Sequence, residues 1–279
     1  MLVNLKEALK GVAKSDFAIP GFNVFGYEDA VAVVRAAEEL DAPVILMTNK
    51  VAVNHMPIEI LAKILCAVAE DAKVPVCVHL DHATEFEVVA RAIKAGYTSV
   101  MYDGSQLPFE ENIKNTREIV RLAHACNVSV EAEIGAVGYS DPSLKVKARY
   151  TEPEEAKIFA EKTGVDALAV AIGTLHRMET QDAVIQYDRL EAIEKLTDVP
   201  LVIHGSTGVK DEDLKKLSRY NVAKVNIGTA LRMVFGNTMR EEMNKNPNEF
   251  DRIVLFQKPM VEVQKEAKKK MELLGIGKK

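Results

Sequence analysis

The chain has 279 residues, enough for one large α/β barrel or two modest domains. Hydrophobic residues make up 48% of it, and 36 basic residues are interspersed with 41 acidic ones for a net charge of −5. That balance argues against a nucleic-acid partner, and the lack of any apolar run of spanning length argues against a membrane.

The opening residues, Met1-Leu-Val-Asn-Leu-Lys-Glu-Ala-Leu, read as an amphipathic helix without the apolar core of a signal peptide. Beyond them, short apolar runs rich in Val and Ile alternate with segments of helical periodicity. Strands are expected at 17–23, 43–48, 74–81, 99–103, 128–134, 167–172, 201–203 and 223–227. Helices are expected between them at 28–40, 58–72, 86–95, 111–125, 152–163, 187–196 and 210–218. Eight alternations without a linker predict α/β architecture: a single (β/α)8 TIM barrel over 1–279 with a C-terminal helical extension. A doubly wound sheet is the rival, but its Gly-rich phosphate loop is missing after the first strand, which ends in Pro20-Gly21-Phe22-Asn23. The gap from Ala136 to Arg149 is long for a βα loop and reads as a lid or binding loop. The Lys265–Met271 run reads as the solvated face of a last helix. Cys66, Cys77 and Cys126, odd in number and without metal-ligand spacing, read as buried small hydrophobes in a reducing, cytoplasmic setting.

Barrel active sites lie at the C-terminal ends of the strands. Three of the six histidines fall where an apolar run gives out: His82 in Val-His-Leu-Asp-His, His176 in Ala-Ile-Gly-Thr-Leu-His and His204 in Leu-Val-Ile-His. Each alone reads as a hydrogen-bonded core histidine. Together they form a tripod for a divalent ion such as Zn²⁺, with an open fourth position and Asp81 adjacent as acid–base group. His79 shares the strand face of Asp81 and reads as structural, and His55 and His124 as bystanders. His204-Gly205-Ser206-Thr207-Gly208 and Asn226-Ile227-Gly228-Thr229 close strands seven and eight, where backbone N–H groups and hydroxyls can hold a phosphate. Asp103 and Glu131 put carboxylates beside the metal strand, for a second mono- or divalent cation, for orienting histidines, or for ion pairs.

At these residues the chain resembles the class II, metal-dependent ketose-bisphosphate aldolases, among them the fructose- and tagatose-bisphosphate enzymes. The resemblance runs nearly end to end, through Gly21-Phe-Asn23-Val, Val78-His-Leu-Asp-His82, Asp103-Gly-Ser105, Glu131-Ala-Glu-Ile-Gly135, His204-Gly205 and Lys224-Val-Asn-Ile-Gly-Thr229. It implies a (β/α)8 barrel, with His82, His176 and His204 on zinc and Asp81 acting on the C4 hydroxyl. It also implies cleavage of a phosphorylated ketose (a ketose 1-phosphate or 1,6-bisphosphate) to dihydroxyacetone phosphate and an aldehyde, through an enediolate stabilised by zinc. Gly205, Ser206, Thr207, Asn226, Gly228 and Thr229 match the phosphate-binding positions, and Asp103 and Glu131 a secondary cation site. Asp141, in Gly138-Tyr-Ser-Asp141, stands where a loop glutamate usually shuttles the proton on dihydroxyacetone phosphate. A homodimer or homotetramer is the family expectation. Asn23, Thr48, Lys50 and Arg177 complete the expected substrate contacts, and two of these depart from the pattern. Arg177 replaces the glycine that follows the metal histidine, and Lys50 replaces another glycine. The usual C-terminal arginine is Asn248, with Arg252 as nearest stand-in. An aldehyde half with a different anionic end, as in a 6-sulfo or 6-carboxy ketose 1-phosphate, is the alternative. A non-catalytic sugar-phosphate-binding barrel is a third reading. A barrel metallohydrolase is a fourth, but no H-x-H pair occurs on the first strand.

Overall fold

The computed structural model describes residues 1–13, 15–141, 143 and 146–277. Eight parallel strands close into a barrel: β1 Ile19–Asn23, β2 Val44–Thr48, β3 Val76–Ala83, β4 Ser99–Tyr102, β5 Ser129–Ile134, β6 Ala167–Val170, β7 Leu201–Ile203 and β8 Val222–Ile227. Closure is carried by β8 against β1, where Asn226 pairs with Gly21 and Ile227 with Phe22. The strands form because β-branched and apolar residues here can be buried on both faces, inside the barrel and under the helices. Pro43, Pro75 and Pro200 stand immediately before β2, β3 and β7, where a missing N–H costs the ladder nothing.

The intervening helices fall within two residues of their expected bounds, and Phe86–Ala95 and Tyr187–Leu196 coincide with them. The N-terminus differs. Leu2–Val3 adds a short parallel strand beside β3, and only Leu5–Ala8 is helical, capped reciprocally by Asn4 and Glu7. Asn4 accepts from the Glu7 N–H and so starts the helix late. That helix lies across the N-terminal end of the barrel on β2, β3 and β5.

The C-terminal extension comprises Thr229–Lys245 and Arg252–Leu273, the latter packed on the former and on Tyr27–Glu39. The Lys265–Met271 run is not one solvated face, because Ala267, Lys270 and Met271 are buried. Of the cysteines only Cys77 is buried, while Cys66 is half-buried and Cys126 exposed. No helix among the described residues is long and apolar enough to cross a membrane.

The barrel interior carries charge. Lys224 on β8 and Glu131 on β5 are both fully buried and meet at 2.7 Å. Space for the lysine is made by Gly21, where a Cβ would stand 3.0 Å from Lys224 Cε and 2.6 Å from Met47 Sδ. Strand alternation sends Met47 inward and Thr48 outward, where the Thr48 hydroxyl bonds Tyr97 Oη at 2.7 Å.

Candidate active site

A cavity of about 510 Å³ opens at the C-terminal mouth of the barrel. The donor nitrogens of His82, His176 and His204 lie within 4.8 Å of one another beside it. Each arrives differently. His204 follows β7 directly. His176 sits in a two-residue strand, Leu175–His176, which pairs in parallel with Gly138–Tyr139 from the loop after β5. His82 has φ +53°, in the left-handed region, and the β3–β4 register shifts between Leu80 and Ala83. That break in the pleat lets neighbours Asp81 and His82 both line the cavity, although strand alternation would send them to opposite faces.

The surrounding groups fix which nitrogens face inward. His82 Nδ1 donates to Asp103 Oδ2 at 2.8 Å, and His204 Nε2 donates to Glu131 Oε1 at 2.9 Å. The other oxygen of Glu131 takes the Lys224 ammonium. His82 Nε2 and His204 Nδ1 then face each other at 2.7 Å, where they share a proton or can turn their lone pairs to a metal ion. A carboxylate behind each metal-facing imidazole is the usual way to set tautomer and orientation. Glu133 adds a buried carboxylate oxygen without a hydrogen-bond partner, and with His82 and Asp103 it forms a second cluster of converging donors. The histidines and carboxylates therefore fit a divalent ion.

Electrostatics agree. Burial alone would lower the His82 pKa, yet Asp81, Asp103 and Glu133 together raise it to about 10, so the pocket favours positive charge at that ring. Burial pushes Glu133 up to about 8, with the Asp103 charge adding to it. Asp81 is also buried, but the positive field of His82, His204 and Lys224 outweighs burial and holds it down at about 2. Its oxygens accept from Asn23 Nδ2 at 3.0 Å and Asn226 Nδ2 at 3.2 Å.

Ser206–Gly208 forms one 3-10 turn, Thr207 Oγ1 accepts from the Ala230 N–H, and the helix Thr229–Lys245 points its N-terminus at the same mouth. Gly205, Ser206, Thr207, Asn226, Gly228 and Thr229 line the cavity with Asn23, Lys50, Asp103 and Arg177.

Two expected site residues, Thr48 and Asp141, and the stand-in Arg252 lie off the cavity wall. Thr48 points into the helix layer and does not line the cavity. Glu131 takes two of the three roles expected for it, orienting His204 and pairing with Lys224, while Glu133 stands beside Asp103 in the second donor cluster. Asp141 is off the cavity wall, its carboxylate accepting from the Ser143 N–H, and residues 142, 144 and 145 of its loop lie outside the described residues. Arg252 is bound to Glu28 at 3.0 Å and lines a neighbouring apolar pocket instead. Arg232 lines both pockets and was not foreseen, since it lies one turn inside a helix rather than at a strand end. Tyr139 and Lys224 were also missed, although strand parity marks Lys224 as facing inward with Asn226; Glu133, expected as a strand-five carboxylate, stands beside Asp103.

A closed parallel barrel carries at its mouth an imidazole tripod, an adjacent buried aspartate and small-residue turns, and the imidazoles are grouped as metal ligands can be. Residues 3–279 match the family described as class-II fructose-bisphosphate aldolase, and the chain belongs to that family. It is thereby of the aldolase, carbon–carbon lyase type. Among solved structures it is similar to the YdjI aldolase from Escherichia coli K12, with 31% identity, TM-score 0.88, and 99% of this chain and 98% of that one covered. A putative fructose-1,6-bisphosphate aldolase from Coccidioides immitis is similar at 27% identity and TM-score 0.88, covering 98% and 96%. The fructose-bisphosphate aldolase of Campylobacter jejuni shares the fold at 23% identity and TM-score 0.83, covering 100% and 97%.

Proposed function

We propose that the protein is a zinc-dependent aldolase that reversibly cleaves a ketose 1-phosphate or 1,6-bisphosphate to dihydroxyacetone phosphate and an aldehyde. The observation that carries this is the convergence of three imidazoles within 4.8 Å beside the buried Asp81, whose oxygens accept from Asn23 and Asn226. His82, His176 and His204 would hold the zinc. When bound, it supplies a Lewis acid that draws electron density from the ketose carbonyl.

Everything else falls to the chain's own side chains. Asp81, positioned by Asn23 and Asn226, takes the proton of the C4 hydroxyl as the C3–C4 bond breaks, and in the reverse direction returns it. Gly205, Ser206, Thr207, Gly228 and Thr229 hold the phosphate at a helix N-terminus. Asp103 and Glu131 orient His82 and His204, and Asp103 with Glu133 offers a place for a second cation. Asp141 carries the proton to and from the dihydroxyacetone phosphate carbon, with Glu133 as the alternative.

A second anionic end on the substrate is favoured by one further observation. Lys50 and Arg232 line the cavity and make no ion pair among the described residues. A phosphate, carboxylate or sulfonate on the aldehyde half would meet them. The test is to incubate zinc-loaded protein with ketose 1-phosphates and bisphosphates, including 6-carboxy and 6-sulfo forms, and follow triose phosphate release. Release that stops with a chelator and returns with zinc or cobalt is the expected outcome. Absence of release from every member of the panel would refute the reading.

A further inference from the structure

We infer that Arg177 is a clamp on the phosphate of the triose half, not a reader of the aldehyde half. This rests on the aldolase reading above and assigns a role to a side chain that the family pattern does not supply.

Arg177 has φ +59°, a left-handed backbone that a side-chain-bearing residue adopts at a cost. The strain is held from both sides. The Ser140 N–H donates to the His176 carbonyl at 3.0 Å and Ser140 Oγ donates to the Arg177 carbonyl at 2.8 Å. The guanidinium carbon stands 5.7 Å from the centroid of Tyr139, whose ring is itself against His176. No carboxylate stands within ion-pair distance of Arg177 among the described residues, although its charge is felt by Asp141 in the same loop cluster.

Packing decides which end of the ligand it meets. A Cβ on Gly205 would fall 2.5 Å from the Leu175 carbonyl oxygen and 3.1 Å from the His176 nitrogen. A Cβ on Gly208 would fall 2.3 Å from Met178 Sδ. The segment carrying Arg177 is thus pressed directly on the turn Gly205–Gly208, and both line the same cavity. Lys50 and Arg232 enter instead from the loop after β2 and from the helix after β8. Arg232 lies over Phe25 at 5.3 Å, on the β1 side of the mouth. An arginine beside an anion turn can add a two-pronged, charge-assisted contact to phosphate oxygens.

The test measures dihydroxyacetone phosphate and inorganic phosphate binding to zinc-loaded protein by calorimetry, for wild type, Arg177→Gly and Arg177→Lys. It adds condensation kinetics with neutral and anionic aldehydes. Arg177→Gly should weaken dihydroxyacetone phosphate binding by about 10- to 100-fold, the range for charge-assisted hydrogen bonds. Arg177→Lys should recover part of the loss, and the ranking of aldehydes should not change. Because glycine relieves the backbone strain, the same variant should melt higher than wild type. Unchanged binding in Arg177→Gly overturns the clamp, as does a loss confined to anionic aldehydes, which would place Arg177 at the other end. If wild type binds dihydroxyacetone phosphate through Arg177 yet cleaves no ketose, the aldolase reading fails and the clamp stands. If it cleaves ketoses and Arg177→Gly binds as wild type, the reverse holds.

Discussion

Lys224→Met tests the buried network behind the histidine cluster. Lys224 and Glu131 are both fully buried and 2.7 Å apart. With an effective dielectric of about 20, their attraction is roughly 6 kcal/mol, offset by several kcal/mol of desolvation per ion. Burial would raise the Glu131 pKa, but Lys224 first and His204 after it hold the carboxyl well below the usual range. Removing the lysine leaves that carboxylate buried with one N–H donor, and breaking such a pair costs about 3–5 kcal/mol. Urea unfolding of the metal-free protein should show that loss for Lys224→Met and a similar one for Glu131→Gln. The double variant should lose clearly less than the sum, because no charge is then orphaned. The loss in Lys224→Met should also shrink as pH falls. A group with a depressed folded pKa stabilises above its unfolded pKa, and a protonated Glu131 no longer needs the cation. Since Glu131 orients His204, zinc affinity should fall about 10- to 100-fold in either single variant. A Lys224→Met cost under about 1 kcal/mol, with additive doubles, would refute this account of the barrel interior.

Asp81→Asn should retain metal, measured by elemental analysis, while kcat drops at least ~10²-fold, the scale for losing an acid–base group. Asp141→Asn should slow hydrogen exchange on dihydroxyacetone phosphate more than it weakens binding; exchange at the wild-type rate would move the assignment to Glu133. Lys50→Met and Arg232→Met should each lower kcat/KM about tenfold for ketoses with an anionic far end and leave neutral-ended ketose 1-phosphates unchanged, consistent with one lost charged contact. Thr48→Val should leave KM unchanged but destabilise by about 1–3 kcal/mol, because the buried Tyr97 hydroxyl loses its partner.

The barrel was legible because its signals are local. Apolar β-branched runs of strand length, separated by amphipathic segments, report both the elements and their alternation, and the parallel closure follows. His82 and His204 were legible for the same reason, whereas His176 lies beyond the end of β6 in its own two-residue strand. What misled was treating every polar residue near a strand end as facing the mouth. Thr48 fails that rule because Met47 takes the inward position, and Glu131 sits one layer deeper than Glu133. His82 escapes it only through a left-handed residue, which leaves no mark in the sequence when the residue is not glycine. Arg232 was invisible because nothing in a helix's first turns says which cavity a long side chain will reach.

These failures divide along a physical line. The residues assigned to the chemistry, Asp81, His82 and His204, are held at strand ends by buried partners such as Asn226, Asp103 and Glu131, each contact reinforcing the next. Changing any one of them orphans a polar group in the core and costs several kcal/mol. Lys50, Arg177 and Arg232 are exposed, lack ion-pair partners among the described residues, and ride on loops or the first turns of a helix. They can be exchanged at little cost to folding. A barrel built in this way can keep one bond-breaking apparatus while its mouth is recharged for a new substrate. The departure from the family pattern at Lys50 falls on that exchangeable side, which is where a change of substrate without a change of reaction would appear.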